Sequence, residues 1–269
     1  MVKKNSFIRF EKQLLRQLSK YISSSDTLAI EFDVIRFKKL LKYNKNQIEF
    51  LNFFLRVFKK LLKKKGTMLI PSFSYSWGSE KKIKFYDKKI STVETGIFPN
   101  FLLNKKDILR TNDPMFSFLI FGKKRKFYNS NNSDSFGKKS VYEKILKDNG
   151  KLISFGLPKF DPTFVHYVEQ YFDENIKKIN YIKKIVFTGF KVNSKGKKEK
   201  RKQICMMRPK KSNITFSEKK IIKILEKKKQ IKKIRFLEGL IQIVDARIFF
   251  NIGINEMKKN IKFFTKKIN

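Results

Sequence analysis

Residues 47–78, QIEFLNFFLRVFKKLLKKKGTMLIPSFSYSWG, decide the fold. Apolar residues recur at helical spacing over 47–64, and Gly66 ends this amphipathic helix. The apolar run 67–71 then predicts a short buried strand, which a proline closes and a polar aromatic loop follows. Helix, glycine, buried strand and loop in this order are typical of an α/β fold, whose ligands bind beyond the ends of the strands.

The same alternation continues on both sides of this stretch. Helical spacing predicts further helices over residues 7–22, 97–103, 141–147, 217–229 and 245–264. Apolar or alternating runs predict strands over residues 27–33, 116–121, 151–157, 181–190, 203–207 and 234–244. The turn at 193–196 makes a β-hairpin of the strands around it. Trp77, the only tryptophan, is either a core side chain or the wall of a ligand pocket.

Length and composition favour one large domain over residues 1–269. With 41% apolar residues and 29 Phe, the chain can bury a full core. The net charge is +41, which suggests an anionic partner such as nucleic acid, but only ten of the 64 basic residues are Arg. Because Lys is spread along the whole chain, most of it is expected on solvated faces, and a polyanion-binding protein remains the alternative.

Several function classes lack their residues. One cysteine, Cys205, excludes a disulfide framework, and one histidine, His166, does not make a zinc or di-iron site, so no metal is predicted. Motifs for a serine hydrolase elbow, a P-loop and a dinucleotide fold are absent from the sequence. No apolar signal segment begins the chain, and charges interrupt the apolar stretch 236–254, so a cytoplasmic protein is expected.

The stretch 150–172, GKLISFGLPKFDPTFVHYVEQYF, contains the only histidine. It reads as a strand, a loop with proline, and the first turns of a helix. On that helix His166 and Glu169 share a face, so the carboxylate can hold one imidazole nitrogen and leave the other free as a general base. The alternative is a histidine without a catalytic role, either solvated or packed in the core.

Four segments, in order, are similar to motifs of the aminoglycoside 3-N-acetyltransferase family, and the resemblance extends from about Leu14 to Phe264. The segments are GTMLIPSFS at 66–74, FYD at 85–87 with STVETG at 91–96, RTNDPMFSFLIFG at 110–122, and DNGK at 148–151 with TFVHYVE at 163–169. Each segment alone is weakly specific, whereas the ordered set is fairly specific.

The resemblance implies a three-layer α/β/α sandwich with a central mixed sheet and a small hairpin and helix subdomain at about 181–235. It implies acetyl transfer from acetyl-CoA to a primary amine of an aminoglycoside or amino sugar, with His166 as general base oriented by Glu169, an activity associated with antibiotic resistance. The matching positions implied for substrate are Thr163 and Asp113, and those for the coenzyme are Ser91, Thr92 and Ser117.

Two departures from the family pattern bear on the acceptor. The family's H-S-S-L after the first strand is 32–35, FDVI, in this chain, and its earlier histidine is replaced by Asp113. A polycationic aminoglycoside favours an acidic cleft, which a +41 chain offers only if carboxylates cluster locally. The sequence therefore suggests an amino sugar on an anionic carrier, and a relative without turnover remains an alternative.

Overall fold

A computed structural model describes residues 2–43, 45–78, 85–129, 131–193, 195–209 and 213–267. The α-helices are α1 Val2–Leu18, α2 Gln47–Leu62, α3 Ile97–Leu103, α4 Arg125–Tyr128, α5 Val141–Lys147, α6 Val165–Asn175, α7 Lys219–Lys227 and α8 Ala246–Lys259. Two 3-10 helices span Val34–Lys42 and Tyr75–Gly78. The strands are β1 Thr27–Phe32, β2 Thr67–Pro71, β3 Phe85–Tyr86, β4 Leu109–Arg110, β5 Phe118–Gly122, β6 Lys151–Phe155, β7 Lys183–Val192, β8 Lys198–Met207, β9 Ile214–Phe216, β10 Lys232–Phe236, β11 Gly239–Asp245 and β12 Thr265–Lys267.

Seven strands form the central sheet, in the order β10-β11-β6-β1-β2-β5-β4. Strand β1 runs parallel to β2 and β6, and the outer pairings are antiparallel. The predicted mixed sheet is confirmed. Because β1, β2 and β6 are parallel, their carboxyl ends meet at one edge of the sheet, where α/β folds place their ligands.

Helices cover both faces of this sheet, as the three-layer prediction requires. Helices α1 and α2 pack on one face, and α5, α6 and α8 pack together on the other. Side chains of β1 alternate between these layers: Leu28 and Ile30 enter the first core, and Ala29 packs against the second. Glu31 shares the face of Ala29 and is thereby directed toward the layer that contains α6.

The predicted hairpin consists of β7 and β8, which pair antiparallel over ten residues each. Together with β3 they form a separate three-stranded sheet. Ser194 in the predicted turn lies outside the described residues. Strand β10 belongs to the central sheet, and a further small sheet pairs β9 with β12.

Trp77 is a core side chain. It is 2% exposed, and its indole nitrogen donates a hydrogen bond to the backbone oxygen of Phe190 at 3.3 Å. Among the described residues, the helices lack the length and apolar character needed to cross a bilayer.

Candidate active site

A tight turn between β6 and the loop before α6 brings the only histidine to the edge of the sheet. Gly156 has φ +85°, and a Cβ at this position would lie 2.1 Å from the backbone oxygen of Asp33. Only glycine fits this turn without strain. The chain then enters α6, in which His166 is the second residue and packs at 5.1 Å, ring to ring, on Phe136.

The structure brings His166 and Glu169 together. Nδ1 of His166 lies 3.6 Å from Oε2 of Glu169, just beyond direct hydrogen-bond distance. Both atoms are buried and have no other hydrogen-bond partner among the described residues. The imidazole is 24% exposed and Glu169 only 1%, so the carboxylate stands behind the ring. This geometry directs Nδ1 inward and leaves Nε2 available to a substrate.

Arg208, which follows β8, completes this cluster and was missed by the sequence analysis. Its Nη2 donates to Oε1 of Glu169, and the Tyr181 hydroxyl lies 3.1 Å from the same oxygen. The guanidinium also lies over the rings of Tyr181 and Phe216, at 5.8 and 6.0 Å. Burial raises the pKa of the Tyr181 hydroxyl, and the charge of Glu169 adds to this effect. A single arginine at the end of a strand forms no sequence motif from which this role could be predicted.

His166 and Arg208 face a cleft of about 510 Å³, which we name the histidine cleft. Its lining residues are Tyr75, Phe116, Asp161, Thr163, Val165, His166, Met207, Arg208, Pro209, Ile214, Thr215 and Phe216. The hairpin and β9 form one wall, and the start of α6 forms the other. The imidazole therefore faces the space between the central sheet and the hairpin.

A second cleft, of about 520 Å³, lies beyond the carboxyl ends of β1 and β2, and we name it the strand-end cleft. Its lining residues are Glu31, Phe32, Asp33, Val34, Ile35, Pro71, Phe73, Tyr75, Glu94, Thr95, Gly96, Ile97, Pro99, Leu157 and Thr163. Tyr75 and Thr163 line both clefts, so the two clefts meet at these side chains.

The junction of the clefts contains a carboxylate that the sequence analysis did not single out. Oε1 of Glu31 accepts hydrogen bonds from the backbone nitrogen and the hydroxyl of Thr163, at 2.8 and 2.9 Å. Burial raises the pKa of Glu31 to about 7, against the effect of these bonds, and Asp161 adds to the rise. Thr163, a predicted substrate residue, therefore lines both clefts and is already bonded to this carboxylate.

The local charge of the strand-end cleft is opposite to that of the chain. Its lining includes the carboxylates of Glu31, Asp33 and Glu94, and no lysine or arginine within the described residues. Burial also raises the pKa of Tyr75 to about 12, and Glu31 contributes to that shift. Negative charge is thus concentrated where the parallel strands end, although the net charge of the chain is +41.

Asp113, the other predicted substrate residue, lines neither cleft. Its Oδ1 accepts hydrogen bonds from the backbone nitrogens of Met115 and Phe116, and its Oδ2 accepts from Gln203 at 3.1 Å. It borders a separate cavity of about 10 Å³, and the Phe116 side chain borders this cavity and the histidine cleft. Burial raises the pKa of Asp113. The structure therefore assigns Asp113 to the loop framework.

The three predicted coenzyme residues also line neither cleft. Ser117 is fully buried, and its hydroxyl accepts a hydrogen bond from Nε of Arg110 at 3.1 Å. The backbone oxygen of Ser91 accepts from the same guanidinium at 2.6 Å, and that of Thr92 accepts from Ser74 at 2.6 Å. These residues hold the loop together. The segment 94–97, which follows Ser91 and Thr92, lines the strand-end cleft instead.

No group of three or more histidine, cysteine or acidic side chains suited to a metal ion occurs in the part of the chain that the structure describes. The two clefts are lined by an imidazole, carboxylates, one phenol and a guanidinium. This set suits proton transfer and the binding of charged substrates.

Solved structures of other proteins share this fold over nearly the whole chain. The complex titled AAC-IIIb binary with CoASH matches with TM-score 0.73 and 16% identity, covering 93% of this chain and 96% of that one. Sisomicin-bound AAC-VIa matches with TM-score 0.71 and 15% identity over 93% and 97% of the two chains. The YokD protein from Bacillus subtilis matches with TM-score 0.72 and 14% identity over 93% and 99%. A comparison with curated protein sequences gave no significant match.

The fold is an α/β sandwich with two clefts at the edge of the sheet, and the sequence gives the family. The model of the aminoglycoside 3-N-acetyltransferase family matches residues 44–258, and the chain belongs to this family. The match confirms the predicted resemblance and the predicted enzyme class, an acetyl-CoA-dependent N-acetyltransferase. The low identity to the solved structures is consistent with a divergent member.

Proposed function

We propose that the protein transfers the acetyl group of acetyl-CoA to a primary amine of an aminoglycoside or amino sugar, with His166 as general base. The observation that carries this proposal is the position of the only imidazole, which faces a cleft while the buried Glu169 stands behind it. Family membership supplies the reaction class. The roles of the residues rest on their geometry.

In this mechanism the free amine attacks the acetyl carbonyl, and the C–S bond breaks as the C–N bond forms. His166 takes a proton from the attacking nitrogen and returns one to the departing thiolate, which leaves coenzyme A as a thiol. Glu169 stabilises the imidazolium across 3.6 Å, and Arg208 donates a hydrogen bond that holds this carboxylate in place. Holding both substrates at the cleft junction supplies the proximity on which the rate depends.

The strand-end cleft suits the pantetheine arm of the coenzyme. Ile35 and Ile97 line it and are more than half exposed, so they offer apolar contact to a largely uncharged chain. Exposed Arg36 and Lys38 lie on the 3-10 helix that begins at this cleft, which favours the phosphates of the coenzyme outside it. The solved AAC-IIIb complex with CoASH supports coenzyme A as the co-substrate of this fold.

The acceptor proposed for this site is a cationic amine without an anionic carrier. The carboxylates at the clefts, Glu31, Glu94 and Asp161, lie where an ammonium group would be attracted. These carboxylates form a local acidic group of the kind that the sequence left open, whereas Asp87 and Asp113 line neither cleft. Relatives of this fold have been solved with sisomicin, gentamicin and apramycin, which supports a polyamine sugar.

An acceptor comparison tests this proposal. The protein is incubated with acetyl-CoA and either sisomicin or a nucleotide-linked amino sugar, and free coenzyme A thiol is measured. We expect thiol release with sisomicin and little with the anionic sugar. Faster turnover of the nucleotide sugar would overturn the assignment of a cationic acceptor, and release with neither amine would overturn the proposed function for these substrate classes.

A further inference from the structure

Glu31 lies at the point where the two clefts meet. Glu31 is the last residue but one of β1 and pairs with Ser154 of β6. Its carboxylate points toward the start of α6. Both hydrogen bonds from Thr163 end on one oxygen, Oε1. Within the described residues, Oε2 accepts no hydrogen bond, and no basic side chain lies within 4.0 Å of the carboxylate.

An unpaired carboxylate in this position needs a reason. Removing a carboxylate from water without a cation is costly, and the chain has 64 basic residues that could have supplied one. The titratable groups that act on Glu31, or are affected by it, are Asp161, Tyr75 and Tyr142, and none of them carries a positive charge. The described part of the chain therefore supplies no counter-charge to this carboxylate, and a bound cation can supply one.

A second polar group supports a ligand at this point. The hydroxyl of Tyr142 is buried and has no hydrogen-bond partner among the described residues. It lines an internal cavity of about 20 Å³ together with Glu31 and Pro71, and the same two residues also line the strand-end cleft. A cavity of this size holds one water, which can link the hydroxyl to the carboxylate.

Anchoring of α6 does not explain this arrangement by itself. A neutral glutamine would accept the same two hydrogen bonds from Thr163 and would avoid the cost of burying a charge. The carboxylate also lines the strand-end cleft, whereas a carboxylate that only anchored the start of α6 would be expected to lie away from a cleft. The charge itself is therefore the property that requires a function.

We propose that Glu31 is a further catalytic residue, which binds the ammonium group of the acceptor and accepts its first proton. This inference rests on the proposed function and deepens it. The acceptor arrives as R–NH₃⁺, because alkyl amines have pKa values near that of lysine, about 10. Its first proton goes to Glu31, the second goes to His166 during attack, and the imidazolium then protonates the thiolate. Glu31 returns its proton to solvent, so the cycle balances.

The raised pKa of Glu31 fits this role. A base works best when its pKa lies near the operating pH, and burial brings that of Glu31 to about 7. Binding of an ammonium group favours the ionised carboxylate, so the substrate prepares the base that it needs. The two bases, one on β1 and one on α6, then meet at the cleft junction.

The test is Glu31→Gln, compared with wild type for sisomicin binding by calorimetry and for thiol release over a range of pH. We expect the dissociation constant of sisomicin to rise about tenfold or more at pH near 7. The rate should recover toward that of wild type at high pH, where solvent supplies the free amine. Failure of wild type to bind sisomicin, or a variant with wild-type affinity and pH profile, overturns the inference.

Two controls separate the possible outcomes. Asp173→Asn makes the same change at a carboxylate that also accepts a backbone hydrogen bond, from Ile179 at 2.7 Å, but lines neither cleft. Its affinity for sisomicin should stay within about twofold of wild type. His166→Ala should bind sisomicin normally and release thiol at a rate lower by about a hundredfold or more. Loss of turnover in this variant, together with unchanged binding in Glu31→Gln, refutes the inference and leaves the proposed function standing.

Discussion

The buried carboxylate of Glu169 contacts the guanidinium of Arg208 as well as lying behind the imidazole of His166. It is 1% exposed, and removing the guanidinium leaves an unpaired buried charge. We expect Arg208→Met to lower the free energy of unfolding by about 3 kcal/mol, as loss of one partner of a buried ion pair does. Urea denaturation measures this.

The double variant Glu169→Gln with Arg208→Met distinguishes stability from catalysis. Removing both charges should restore much of the stability but not the rate of thiol release. If Arg208→Met alone unfolds at the wild-type urea concentration, the ion pair does not hold this cluster together.

The raised pKa of Glu31 gives a stability prediction with a definite sign. Between its usual pKa, 4.5, and its folded value, about 7, the folded state binds the proton more tightly than the unfolded state. Stability from this group is therefore full below about pH 4.5 and is lost as the pH rises to 7. The loss is on the order of 3 kcal/mol. Urea denaturation at pH 5 and pH 8 gives the change in the free energy of unfolding between these pH values. This change should be smaller in Glu31→Gln than in wild type, and an equal change in the two proteins would refute the prediction.

At the residue scale, the sequence predicts what helical spacing can predict. His166 and Glu169 are three positions apart, so their meeting follows from local geometry. Arg208 and Glu31 reach the site from β8 and β1, and nothing in a sequence reports such contacts between distant segments. Ser117 matches a motif position and is buried, and its role toward the coenzyme stays a prediction. A motif does not distinguish a ligand contact from a framework hydroxyl.

At the element scale, the turn between β6 and α6 places the histidine. Gly156→Ala adds a Cβ 2.1 Å from a backbone oxygen at φ +85°, so both strain and a clash result. We expect a loss of about 2 kcal/mol or more in the free energy of unfolding, together with lower turnover, because α6 must shift.

Gly196 is a matched control for this prediction. It has φ +78° at the hairpin tip, and a Cβ there meets nothing within 4 Å. Gly196→Ala should cost only the backbone strain, about 1 kcal/mol, with normal turnover. Equal losses in the two variants would show that the close approach to Asp33 does not matter. Thermal and urea denaturation of both variants provide the comparison.

Elements with a strong period were predicted almost to the residue, and those defined by tertiary pairing were not. Strand β2 and helix α5 coincide with their predictions at 67–71 and 141–147. The predicted helix 245–264 ends at Lys259, and residues 265–267 pair with β9 as β12. The strand β3 was not predicted, because only its pairing with β7 makes it a strand.

At the scale of the whole molecule, charge separates into a basic surface and an acidic cleft. Lysines on β8 at 198, 200 and 202 are exposed beside the half-exposed Phe190 of β7. Such a surface attracts the phosphates of coenzyme A from a distance and lets salt screen this attraction.

This charge distribution predicts how salt affects turnover. Raising NaCl from about 0.05 to 0.5 M should increase the KM for acetyl-CoA severalfold and change kcat little, since the chemistry lies in a sheltered cleft. Steady-state kinetics measure both values. A fall in kcat with constant KM would contradict the steering role. Heparin binding that is steeply salt-dependent and prevents turnover would favour the polyanion-binding alternative.

The most direct measurement of the central claim is thiol release from acetyl-CoA and sisomicin by wild type and His166→Ala. We expect a rate lower by about a hundredfold or more in the variant, the usual contribution of a general base, with coenzyme A binding unchanged. A variant that keeps its rate within a few fold of wild type would contradict the assignment of His166 as the base.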